Sequence, residues 1–200
     1  PEVDVVLGGG SVGDIVEAVR QAAQGKSFER YADIEKAPLG GDRLLTTPFY
    51  TAYLKLGDGC DNFCTYCAIP LIRGRLRSRP LEELVEEAQA LAQSGVRELV
   101  LVAQDTTRYG EDLYGENRFC DLLRALERVE GIAWIRILYA YPDRISDELL
   151  ELMAKSEKIL PYIDLPLQHA NDAILSAMNR RGSRADIEAV LAKIRKTLPH

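Results

Sequence analysis

From Tyr50 onward, short apolar runs alternate with amphipathic stretches at roughly 30-residue spacing, and that alternation limits the folds open to this chain. Thr51–Leu56, Glu98–Ala103, Trp134–Ala140 and Tyr162–Leu167 read as four strands. Between and after them, Leu81–Ser94, Arg118–Glu130, Asp147–Lys155, Asn171–Met178 and Arg184–Thr197 read as helices. Pro80 opens the first of these, acids crowd its positive end, and Gly95 stops it. Ser146 is placed to cap the third. Repeated strand–helix units of this kind build right-handed βαβ crossovers and a parallel sheet. Eight units would close a barrel; four are present. Pro166 conflicts with a strand interior, because proline cannot donate to the ladder, so it is expected to mark the strand's end.

In a parallel barrel the functional rim is where strands run into their helices. Here the four ends read as a cysteine loop, then Gln104–Gly110, then Tyr139–Asp143, then Gln168–Ala170. Polar and aromatic residues gather there, while the strand interiors read as aliphatic. Three of the chain's four cysteines, Cys60, Cys64 and Cys67, fall in the first of these ends, spaced C-x3-C-x2-C. Three thiolates on one tight loop hold three corners of an iron–sulfur cube and leave one iron without a protein ligand. Structural zinc wants a fourth ligand, usually from a second C-x2-C pair, and none is present. Three clustered cysteines also cannot pair off as disulfides. Cys120 sits beside an apolar helical face and reads as a small packed residue. Trp134 and the tyrosines other than Tyr66 read as packing.

Ahead of the barrel, Val3–Leu7 is a short strand, Gly8–Ser11 a turn and Asp14–Ala23 a helix. A glycine turn before a helix could cradle phosphate, but no Lys-Ser/Thr follows it, and a plain βα corner is the simpler reading. Residues 25–48 show no period and read as a linker, which separates a βα unit at 1–24 from a domain at 49–200. The formal charge is −6, so nucleic-acid contact would need a local patch. Arg73, Arg75, Arg77 and Arg79 form such a patch, with no acid adjacent to it. They read either as a protected strand edge or as a surface steering an acidic partner. No apolar run approaches the roughly 20 residues of a membrane span. Few cysteines, grouped for metal, point to a reducing, cytoplasmic setting.

The C-x3-C-x2-C loop, with Tyr66 before its last cysteine, resembles the signature of the radical S-adenosylmethionine (SAM) enzymes. Ile69-Pro70, the arginine run ending at Pro80, Leu165–His169 and Ala177–Arg181 resemble the methylthiotransferase branch of that superfamily. Gln104–Gly110 is similar to the members that act on an aspartate of ribosomal protein S twelve. The tRNA-modifying members carry Gly-Gln-Asn in that region, and Gln-Ser-Gly in place of Gln168-His169-Ala170.

The resemblance implies an α/β fold, a partial TIM-like barrel of the radical SAM type cut after about four βα units. It implies a 4Fe–4S cluster on the three cysteines that reductively cleaves SAM to a 5′-deoxyadenosyl radical, with SAM held by Tyr66, Gln104, Asp105, Arg136 and Gln168. Arg73, Arg75, Arg108, Tyr109 and His169 become substrate candidates. Asp105 is read as an acceptor for the SAM ammonium rather than a general base, and His169 divides evenly between contact and structure. The partners implied are ribosomal protein S twelve and an electron donor such as flavodoxin, around a monomer. The chain begins without methionine inside what reads as a strand and stops just after a helix, so it is expected to be a piece of a longer protein. A second 4Fe–4S cluster, on three further cysteines of an N-terminal domain, and a C-terminal TRAM domain would then lie elsewhere. The piece alone is expected to cleave SAM without completing methylthiolation. Two other functions compete with this one: tRNA methylthiolation, and a non-catalytic zinc or iron–sulfur module.

Overall fold

A computed structural model describes residues 3–41 and 43–199. Its elements in order are β1 (Val5–Leu7), α1 (Ile15–Ala23), β2 (Phe28–Arg30), β3 (Thr51–Lys55), β4 (Gly57–Asp58), α2 (Ile69–Arg73) and β5 (Arg77–Ser78). They continue with α3 (Leu81–Gln93), β6 (Glu98–Val102), α4 (Glu111–Tyr114), α5 (Phe119–Glu127), β7 (Trp134–Ile137) and α6 (Asp147–Lys155). The last are β8 (Ile159–Ile163), α7 (Asp172–Ala177) and α8 (Arg184–Thr197). Strands β3, β6, β7 and β8 form one parallel sheet in sequence order, the arrangement that successive βαβ crossovers produce. The expected α/β architecture of a partial barrel is therefore present.

Alternation along each strand decides which face becomes the core. Ala52, Leu54, Leu99, Leu101, Ile135 and Ile137 point one way and are buried beneath α3, α5 and α6. Those helices contribute Leu84 and Ala88, then Phe119, Leu122 and Leu126, then Leu149, Leu150 and Met153. Ser146 caps α6 as expected, its hydroxyl accepting from the Leu149 N–H at 3.1 Å. Ser183 and Asp186 add a reciprocal capping box at the start of α8.

The other sheet face departs from the sequence reading. Tyr53, Trp134 and Tyr162 are about half exposed rather than packed. Polar groups also occupy this face: Arg136 pairs with Glu98 at 2.8 Å and lies over the Tyr162 ring at 5.1 Å. A strand reader sees apolar letters, but an open sheet leaves one of their two directions facing solvent.

Two boundaries also move. The fourth strand lies at Ile159–Ile163, several residues before Tyr162–Leu167, and tolerates Pro161 at the edge of the sheet. Within residues 25–48, Phe28–Arg30 forms β2, parallel to β1, and a short 3-10 turn follows at Ile34–Lys36. Three residues are too few to show a period, which is why this stretch reads as linker in the sequence. The first unit is thus βαβ rather than βα. Its glycine turn serves close backbone approach: a Cβ on Gly10 would lie 2.3 Å from the Ala32 carbonyl oxygen. Beyond it, the carbonyls of Glu35 and Ala37 each accept from Arg77 Nη1 at 2.8 Å, fastening the connecting segment to β5.

Candidate functional site

At the C-terminal end of the four-stranded sheet, Cys60, Cys64 and Cys67 line one cavity of about 450 Å³. All three are free thiols. Gln104, Tyr139, Tyr141, Pro166, Gln168 and Arg180 come to the same cavity from the other strand ends and from the turn after α7. Tyr66 lines it beside Cys67. Of the residues expected at the rim, the structure brings the three cysteines, Tyr66, Gln104 and Gln168 to this one cavity.

The cysteine loop is held by three other segments of the chain. Behind it, β4 pairs antiparallel with β5, and a Cβ on Gly59 (φ +75°) would lie 1.9 Å from the Arg75 carbonyl oxygen. Asp61 Oδ1 accepts from Arg75 Nε at 2.7 Å and from the Leu76 N–H at 3.1 Å. The Arg75 hydrogen bond holds the Asp61 carboxyl below its usual range. Asn62 Nδ2 donates to Asp105 Oδ2 at 2.8 Å, and Asn62 Oδ1 accepts from Arg108 Nη1 at 3.1 Å. Asn179 Nδ2 donates to the Phe63 carbonyl at 2.9 Å, and Thr65 Oγ1 donates to the Ala177 carbonyl at 2.9 Å. A turn more than a hundred residues downstream thus grips the loop directly.

Backbone conformation singles out the same place. Among the described residues, the non-glycine positions with positive φ are Phe63, Tyr139, Gln168 and Asn179. The first three line the cavity and the fourth clamps its loop. Such conformations cost of order 1 kcal/mol each and persist where surrounding contacts over-determine them, as at binding sites. The cavity also holds a buried acceptor without a partner, Gln104 Oε1. Burial of the Cys60 thiol pushes its pKa up.

Several residues expected to contact ligand do other work. Asp105, 3% exposed, accepts from the Thr107 N–H, Thr107 Oγ1 and Asn62 Nδ2, so its carboxylate is spent anchoring the loop. Burial raises its pKa against the pull of those hydrogen bonds. Arg136 is committed to Glu98, the first residue of β6, at the sheet end opposite the cysteines. Arg108 pairs with Glu111 at 2.7 Å and orients Asn62. His169 Nδ1 accepts from the Asn171 N–H at 2.9 Å, and the ring does not line the cavity.

Tyr109 is 2% exposed, and its hydroxyl donates to the Arg79 carbonyl at 2.8 Å, a core role. Tyr109→Phe is accordingly expected to cost about 1–2 kcal/mol by stranding that buried carbonyl. It should appear as a lower urea midpoint with an unchanged slope.

Nor is the arginine run short of acids. Arg73 lies 3.7 Å from Asp58, Arg75 pairs with Asp61, and the buried Arg79 pairs with Glu87 at 2.6 Å. Folding brings these acids to a run that looks unopposed along the chain. Cys120 packs half-buried against the core, where burial pushes its thiol up to about 11.

Sequence reasoning passed over Asn62, Tyr141 and Arg180. In the sequence Tyr141 reads as a packing tyrosine at the third strand end, and Arg180 only as part of the Ala177–Arg181 stretch. The Tyr141 hydroxyl lies 3.2 Å from Cys64 Sγ. Arg180 Nη1 lies 3.8 Å from the same sulfur, and the guanidinium stacks 3.9 Å from the Tyr141 ring centroid.

Residues 54–200 match the radical SAM superfamily. The chain belongs to that superfamily. Its sequence is 46% identical over 200 residues to a protein of Clostridium tetani named ribosomal protein uS12 methylthiotransferase RimO. It is 49% identical over 203 residues to one of the same name from Desulforamulus reducens. Both comparisons cover 100% of this chain and 45% of the relative, so the chain spans under half the length of the relatives it matches. Among solved structures, the radical SAM methyltransferase TsrM from Kitasatospora setae, with cobalamin and a [4Fe-4S] cluster bound, superposes with a TM-score of 0.58 at 17% identity. That match covers 73% of this chain and 28% of TsrM. The cobalamin-dependent SAM radical enzyme OxsB gives a TM-score of 0.56 at 12% identity, over 72% of this chain and 22% of OxsB. Both likenesses support the fold alone.

The donor set fits a 4Fe–4S cluster better than a single ion. Ligands of one zinc converge within about 2.3 Å of a common centre. Among the described residues, no group of three or more His, Cys, Asp or Glu side chains is arranged that way. Thiolates of a cube instead bind separate irons and stand further apart around a shared space. Three free thiols lining one cavity supply the ligand type and number for three irons of such a cube. No helix among the described residues is long and apolar enough to cross a membrane.

Proposed function

We propose that this chain is the SAM-cleaving core of a methylthiotransferase that modifies the β-carbon of an aspartate in ribosomal protein uS12. One observation carries the reading: three free cysteines share a cavity with the orphaned Gln104 acceptor, in a chain 44–49% identical along its length to proteins named RimO. Cys60, Cys64 and Cys67 would hold three irons of a 4Fe–4S cluster. When bound, that cluster supplies the electron for cleaving SAM at its free corner.

This chain's residues bind, orient and shield. Gln104 Oε1 offers an acceptor to the SAM ammonium, a role that needs no proton transfer. Tyr66 offers its ring to the adenine, and Gln168 a polar contact to the ribose or carboxylate. Ile69, Pro70, Ala103 and Pro166 line the remaining wall with apolar surface that limits water. The network through Asn62, Asp105 and Arg108 fixes the loop before any ligand arrives. Residues 49–200 form this core, and the preceding βαβ unit belongs to a separate domain. The second cluster, the sulfur it carries and the main contacts to uS12 fall to the remaining length that the relatives have.

The full-length protein, incubated anaerobically with SAM, reductant and either ribosomal protein uS12 or tRNA, tests the assignment by mass spectrometry. A methylthio adduct on an aspartate of uS12 is expected. An adduct on tRNA alone would overturn it.

A further inference from the structure

Among the described residues, Cys64 is distinguished from the other two cysteines by what surrounds its sulfur. The Tyr141 hydroxyl lies 3.2 Å away and Arg180 Nη1 3.8 Å away, while no side-chain hydrogen-bond donor reaches Cys60 or Cys67. Arg180 is 8% exposed, and among the described residues none of the groups its guanidinium contacts is a carboxylate. Its other contacts are the Pro166 carbonyl at 2.6 Å and the face of Tyr141. A guanidinium cannot shed its proton. Left buried without an anion, it is costly. A cation held in place by a carbonyl and an aromatic face, with one nitrogen turned to a cysteine sulfur, is built for negative charge at that sulfur.

We propose that Arg180 and Tyr141 are positioning residues that set the reduction potential of the cluster through Cys64. The inference rests on the function proposed above. Once Cys64 is a thiolate ligand it carries no proton, so the Tyr141 hydroxyl must donate to it. Arg180 adds a full positive charge on the same side. Reduction adds one electron to the cluster, taken from the external reductant, and breaks no bond. A nearby donor and a nearby cation stabilise the more negative, reduced form, so both residues raise the potential. Hydrogen bonds to sulfur and local charge are established levers on such potentials. The chain thereby makes its cluster easier to reduce before SAM is present.

The test is an anaerobic redox titration, without SAM, of the reconstituted chain and of Arg180→Gln, Arg180→Lys and Tyr141→Phe. Signal from the reduced cluster is followed by electron paramagnetic resonance. Arg180→Gln is expected to lower the reduced-to-oxidised ratio at fixed potential at least tenfold, a midpoint drop of about 59 mV for one electron. Tyr141→Phe should lower it in the same direction by less, and Arg180→Lys should restore most of the wild-type value. Tyr141→Phe removes a single oxygen, so it decides the matter even where Arg180→Gln folds poorly. Loaded variants with midpoints equal to wild type would overturn the proposal while leaving the function standing. A wild-type chain that takes up no cluster would overturn both.

Discussion

Gly59→Ala is expected to destabilise the chain by about 3 kcal/mol or more and to abolish uptake of iron and sulfide. Two costs add. The glycine adopts φ +75°, where a side chain is strained, and its Cβ would sit 1.9 Å from the carbonyl oxygen of Arg75. No flexible side chain is available to yield, because the obstacle is the backbone of the segment leading into β5. Relief requires the β4–β5 hairpin to open, and Cys60 follows Gly59 directly. Urea denaturation measures the first effect, and iron content after anaerobic reconstitution the second. Gly131→Ala is a useful control: it shares a positive φ, but its nearest obstacle is the Ala92 methyl at 3.4 Å. It should lose about 1 kcal/mol and keep its iron.

The second large effect concerns the thiols themselves. Replacing Cys60, Cys64 or Cys67 singly with alanine is expected to reduce bound iron from about four per chain to nearly none, with loss of the brown colour. Cys120→Ala should retain full loading, since its thiol lies in the helical layer and is held protonated by burial. Circular dichroism separates these losses from unfolding, because only Cys64 of the triad is buried and none of the three belongs to the hydrophobic core cluster. Full iron in any of the three variants would mean that the corresponding cysteine is not a ligand.

Local patterns in the chain carried much of this architecture. The strand–helix repeat is written in apolar spacing, and α8 falls at Arg184–Thr197, the span read for it in the sequence. The cysteine triad is equally legible because its spacing is short and the chemistry is set by residue type. What the sequence hid was pairing across distance. Asp105, Arg108 and Tyr109 stand together at a strand end and look like ligand contacts. Only folding shows that Asn62, Glu111 and the Arg79 carbonyl already occupy them. Arg136 alternates onto the open sheet face beside Glu98, a neighbour nearly forty residues away in sequence. Conversely, Arg180 gave no local sign that it would turn inward to Cys64. The βαβ nature of the first unit was missed because β2 is only three residues long.

The central claim is that Cys60, Cys64 and Cys67 jointly hold a cluster with one iron open to SAM. It is tested most directly by reducing the reconstituted chain with dithionite in the presence of SAM and measuring 5′-deoxyadenosine. 5′-Deoxyadenosine is expected to form in the brown, reduced chain and to be absent when Cys64 is replaced by alanine. A colourless, zinc-loaded chain that releases none, or equal release from the Cys64→Ala variant, would contradict it.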